Sequence, residues 1–131
     1  MMLALALLAQ AAPDVQNPAP PLPSDWSNLA AMPFVVQPQI TAPLDKFVAD
    51  EIAAGRCAVT RPVDGHYVVR VDVATLVDAD GTVRRAVPRA MGCPTVEQYS
   101  AGLVTSFARA NLQVRAGKLW YRTTIVYDWR G

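Results

Sequence analysis

Apolar and polar residues alternate most regularly in "HYVVRVDVATLVD" (residues 66–78). There Tyr67, Val69, Val71, Val73, Thr75 and Val77 fall on one side and Arg70, Asp72 and Asp78 on the other. A period of two predicts a long strand with one buried face. "TVRRAVPR" follows at once after Asp78-Ala79-Asp80-Gly81, which predicts its hairpin partner. In "KLWYRTTIVYDW", Leu119, Tyr121, Thr123, Ile125, Tyr127 and Trp129 alternate with Lys118, Arg122, Thr124, Asp128 and Arg130, a long final strand. Between these strands the period lengthens. Over residues 94–112, Val96, Tyr99, Leu103, Phe107 and Ala110 lie on one stripe, and Pro94 suits the first turn of the principal helix. "LDKFVADEIAAG" predicts a shorter amphipathic helix through Leu44, Phe47, Val48 and Ile52, stopped at Gly55. "RCAVT", with Pro62 beyond it, reads as a short edge strand. Helix, short strand, long strand, strand, helix and long strand imply an α+β fold, a small antiparallel sheet with its helices packed on one face.

The N-terminal third has another character. Residues 13–43 hold eight of the eleven prolines, a density that forbids a helix and breaks a sheet ladder, so this stretch is expected to be an extended linker. Trp26, Phe34, Val35 and Val36 interrupt it and are expected to dock on the chain's own domain. Residues 1–12 form a short apolar run in which Ala9-Gln10-Ala11 has the form of a signal-peptidase site. The run lacks a basic n-region and is shorter than the roughly 20 residues that span a bilayer, so no stable transmembrane anchor is expected. The expected organisation is a signal peptide over 1–12, a proline-rich linker over 13–43 and a folded domain over 44–131.

Charge narrows the partners. A formal net charge of +1 with 18% charged residues gives no basic excess for a phosphate backbone, so nucleic-acid binding is not expected. Arg84, Arg85 and Arg89 form a local basic run, offset by Asp72, Asp78, Asp80 and Asp128, and read as a solvated, internally paired face. The two cysteines, Cys57 and Cys93, read as a disulfide in an exported chain, with free structural thiols as the alternative. A bridge closing a loop of about 36 residues contributes roughly 3–4 kcal/mol on chain-entropy grounds.

No catalytic set emerges, and no metal or cofactor is expected. Asp78-Ala79-Asp80-Gly81 has the start of a calcium loop, but Thr82, Val83, Arg84 and Arg85 follow where further oxygen ligands belong, so a hairpin tip is the better reading. Cys93 in "MGCPT" precedes a predicted helix, yet has no C-x-x-C companion, and the lone His66 starts a distant strand. Serine patterns of acyl-transfer enzymes and a glycine-rich phosphate loop are absent.

The run "YVVRVDVATLVDADGTVRRAVPRAMGCPTVEQYSAGLVTSFARANL" and the closing "WYRTTIVYDW" resemble the C-terminal domain of the TonB family of periplasmic energy transducers, over about residues 67–129. The shared order is an alternating strand, a D-x-D-G-x-V hairpin, a short link, a helix and a final amphipathic strand. The resemblance implies an exported, periplasmic, non-enzymatic protein-binding module, connected with TonB-dependent transport. Its final strand, residues 120–129, would act as an edge strand that pairs with an extended peptide, such as a segment of an outer-membrane receptor. On that implication the partner-binding residues are Trp120, Arg122, Thr123, Ile125, Tyr127 and Trp129. Homodimerisation is left open. The alternatives are an anchored energy transducer whose start lies upstream and a periplasmic structural protein of other function.

Overall fold

The computed structural model describes residues 19–113 and 119–131. The expected signal peptide, the first six linker residues and Lys118 lie outside the described residues. Six elements follow in order: β1 (Ala30–Ala31), α1 (Ala42–Ala53), β2 (His66–Val77), β3 (Val83–Pro88), α2 (Pro94–Ala108) and β4 (Leu119–Arg130). Among the described residues they make one four-stranded sheet in the order β1-β4-β2-β3. β2 runs antiparallel to both β3 and β4, whereas β1 lies parallel to β4, so the α+β fold is as expected but its sheet is mixed.

The β2–β4 ladder is the spine, unbroken from His66↔Arg130 to Val77↔Leu119. Its register puts the odd-numbered residues of both strands on one face. There Val69, Val71, Val73, Val77, Tyr121, Ile125 and Tyr127 are buried against Val48 of α1 and Val96, Val104 and Ala108 of α2. The buried stripe of α2 sits about one position beyond the predicted one: Val96, Ser100, Ala101, Val104 and Ala108 meet the sheet. Small residues allow the close approach, and the larger Tyr99, Leu103 and Phe107 flank the contact, partly buried. Tyr99 stacks on Phe47 of α1 with ring centroids 4.0 Å apart.

The hairpin tip forms at Asp78-Ala79-Asp80-Gly81. Gly81 takes φ 83°, where a Cβ would be disfavoured, and the Asp80 carboxylate accepts the Thr82 N–H at 3.0 Å. The Asp78 carboxylate is held by Arg84, so both acidic groups of the calcium-like sequence serve the turn. Cys57 and Cys93 form the expected disulfide, with Cα atoms 4.4 Å apart. The Glu97 carboxylate accepts the N–H groups of Met91 and Cys93 at 3.1 and 3.0 Å, which fixes the start of α2 beside the bridge.

Two expectations are corrected. "RCAVT" is not a strand; this loop is tied to the rest by the disulfide and by the Ala58 N–H, which donates to Gly92 O at 3.1 Å. The additional strand is instead β1, in the stretch expected to be a linker. Much of that stretch packs on the domain: Trp26, Met32 and Phe34 are buried, while Val35 and Val36 stay exposed. Burial of these three large side chains outweighs the proline content, which constrains pairing but not docking.

Candidate functional site

The outer edge of β4 can be built residue by residue. Residues 122, 124, 126 and 128 direct their backbone groups away from β2. The carbonyl of Arg122 accepts the Met32 N–H at 3.0 Å, and the Asp128 N–H donates to the Asp45 carboxylate of α1 at 3.0 Å. Between these two closures the chain leaves the edge. The next donor in register, the Phe34 N–H, turns back to Met32 O at 2.9 Å, and the Phe34 ring enters the core. Asn111 then holds the departing segment, accepting the Val36 N–H at 2.9 Å and donating to Val36 O at 2.8 Å. The outcome is a cleft of about 420 Å³ between residues 37–40 and residues 123–126. Among the described residues, no hydrogen bond reaches the outward backbone groups of Thr124 and Val126.

β4 is therefore not a free edge along its whole length, because β1 occupies the part beside Tyr121 and Arg122. The six residues expected to meet a partner are divided by the pleat. Ile125 and Tyr127 are core residues, and Thr123 lies on the same face with its hydroxyl buried and unpaired. Trp129, also on that face, stacks on Tyr67 at 5.0 Å. Trp120 and Arg122 lie on the opposite face against residues 20–26, where their side chains reach Pro20 O and Trp26 O. The side chains at the open window are those of Thr124 and Val126. Sequence reasoning passed over them because it weighted the apolar half of the alternation, which the core consumes.

β3 forms the other end of the sheet, and its Arg84, Arg85 and terminal Pro88 are features that blunt an edge. The basic run is not uniformly paired with acids. Arg84 pairs with Asp78, but Arg85 and Arg89 lie over the rings of Trp120 and Trp26 at 5.4 and 4.4 Å. His66 Nε2 lies 2.6 Å from the Asp128 carboxylate at the far end of the ladder.

The buried polar pair is Tyr127 and Ser100. The Ser100 hydroxyl donates to Val96 O at 2.7 Å and lies 2.8 Å from the Tyr127 hydroxyl, which then donates to it. Burial pushes the Tyr127 hydroxyl up to about 12. A neutral phenol tied inward to a helix is an anchor for packing. Among the described residues no group of three or more His, Cys, Asp or Glu is placed to hold a metal ion, and no helix is long and apolar enough to cross a membrane. No family model matches the chain, and neither a characterised protein nor a solved structure matches it.

Proposed function

We propose that this chain is a non-catalytic protein-binding module that takes an extended peptide by strand addition at the outer edge of β4. The observation that carries the reading is the open window at Thr124 and Val126, two unpaired backbone positions on the floor of a cleft. A strand laid there gains main-chain hydrogen bonds, and its alternate side chains meet Thr124 and Val126. The resemblance to the TonB C-terminal domain supports a periplasmic setting and a partner such as an outer-membrane receptor segment. The apolar N-terminal run and the paired cysteines favour export. A role as an anchored transducer is the alternative reading.

The register chooses the test. Residue 125 directs its N–H to β2, so proline there would break the spine, whereas proline at 126 removes an outward donor alone. Periplasmic partners are captured with the wild-type chain and with Val126→Pro, and circular dichroism checks that both are folded. Partners held by the wild type and lost by the variant support strand addition; an unchanged set from two folded proteins rules it out.

A further inference from the structure

The even-numbered face of the sheet carries a second apolar cluster, Trp26, Ala74, Leu76 and Trp120, with Leu22, Leu29 and Val87 packed against it. What covers this face is the proline-rich arm, residues 19–29. Its prolines fix φ, and the residues before them are pushed to extended geometry, which favours a polyproline II-type conformation over "APPLP". Such a helix has three residues per turn and no internal hydrogen bonds, so carbonyls three apart point the same way and remain free. Pro20 O and Pro23 O are three apart. The first accepts the Trp120 indole N–H of β4 at 2.7 Å, whereas the second accepts the indole N–H of Trp26, within the arm itself, at 2.9 Å.

The direction of the remaining bonds is equally particular. Arg89 donates to Ser24 O and Arg122 to Trp26 O, each at 3.4 Å. Among the described residues, no backbone N–H from residue 19 to residue 29 donates to the sheet; backbone pairing begins only with β1, at Ala30↔Tyr121. The domain thus reads the arm through its carbonyls, with the Trp120 indole and the guanidinium groups of Arg89 and Arg122 as donors; Arg85 lies over Trp120, and Arg89 lies over the arm's own Trp26. A strand woven into the ladder would use its own N–H groups. Recognition through free carbonyls on an aromatic floor is how proline-rich ligands are bound.

We infer that the face around Trp120 is a groove for proline-rich extended segments, which the chain's own arm fills in cis, and that a proline-rich segment of a partner protein enters when the arm leaves. This surface lies apart from the Thr124 and Val126 window, so the two readings stand or fall separately.

The test uses the full chain and a fluorescein-labelled synthetic peptide with the sequence of residues 19–29, followed by anisotropy. Trp26→Ala loosens the arm and is expected to bind the peptide at least ten-fold more tightly than the wild type. Adding Trp120→Phe, which removes the indole donor, is expected to reverse most of that gain. Replacing the three prolines of the peptide by alanine should abolish binding. Near-ultraviolet circular dichroism monitors the fold, and Leu22→Ser opens the arm more gently if Trp26→Ala does not fold. Equal affinity for the opened and wild-type chains overturns the inference, as does binding that survives loss of the prolines. A dimer that competes with the peptide would overturn the assignment to a partner protein and place a second copy's arm in the groove.

Discussion

The Met32 N–H donates to Arg122 O at 3.0 Å, and beyond that bond β1 has no further contact with the β4 ladder. Phe34 is the local cause: its N–H, the next donor in register, turns back to Met32 O and its ring goes into the core. The open window exists because the parallel strand ends there. Replacing Phe34 with alanine removes the side chain that draws the chain off the edge and should cost about 3 kcal/mol or more, as for other buried aromatics. Urea unfolding of the variant checks this, and a loss below about 1 kcal/mol would mean that Phe34 does not anchor the segment.

The two faces of β4 predict opposite responses to proline. Ile125→Pro takes a ladder donor from the β2 pairing and a core side chain together, an expected loss of several kcal/mol. Val126→Pro removes an outward donor and should cost about 1 kcal/mol or less. Denaturant midpoints of the two variants read the register directly, and a larger loss for Val126→Pro than for Ile125→Pro would show it to be off by one.

Much of this architecture was legible in the sequence. β2, β3, β4 and α2 are long or strongly patterned, and each appears where its period placed it. β1 was not legible, because a two-residue strand among prolines has no period and is held by the burial of Met32 and Phe34 at its end. The buried stripe of α2 was misplaced for a related reason: size, not hydrophobicity alone, chose Ser100, Ala101 and Ala108 for the sheet contact. At the candidate site the alternation was read correctly, but the apolar half went to the core, leaving Thr124 and Val126 at the edge. The approach of Trp120 to Pro20 spans 100 positions of sequence, and no local pattern announces it.

Alkaline stability should depend on Tyr127. Its hydroxyl titrates at about 12 in the folded chain, against about 10 when unfolded. The unfolded state therefore releases its proton first, so the stabilisation is fully present below pH 10 and is lost as pH rises towards 12. The lost amount is roughly 2–3 kcal/mol at about 1.4 kcal/mol per unit of difference. Tyr127→Phe should flatten this limb while costing only about 1 kcal/mol at neutral pH, because Ser100 still donates to Val96 O. Unfolding midpoints of both proteins at pH 8, 10 and 11.5 decide the matter; parallel curves would exclude Tyr127 as the titrating group.

The disulfide ties the loop after α1 to the first turn of α2, where Glu97 already holds the N–H groups of Met91 and Cys93. Reduction frees a loop of 36 residues in the unfolded chain without removing those bonds. The expected effect is a loss of roughly 3–4 kcal/mol with the native fold retained. Thermal unfolding with and without reductant measures it, and Cys57→Ser should reproduce the reduced midpoint. A midpoint unchanged by reductant, with thiol titration showing both cysteines reduced, would remove the bridge from the account of stability.

Ala110 follows the last turn of α2 with φ 52°, the left-handed position that glycine occupies in most helix stops of this kind. A Cβ there costs about 1–2 kcal/mol, and glycine would return about 0.4–1 kcal/mol of that through the greater freedom of its unfolded state. Ala110→Gly should therefore stabilise the chain by about 0.5–1 kcal/mol. The next residue, Asn111, clamps Val36 and so holds the far wall of the cleft, which makes the same substitution a probe of the site. If the left-handed turn is what places Asn111, the variant keeps the cleft and any captured partner while its melting temperature rises. A lower melting temperature would show that Ala110 does not hold this conformation in solution.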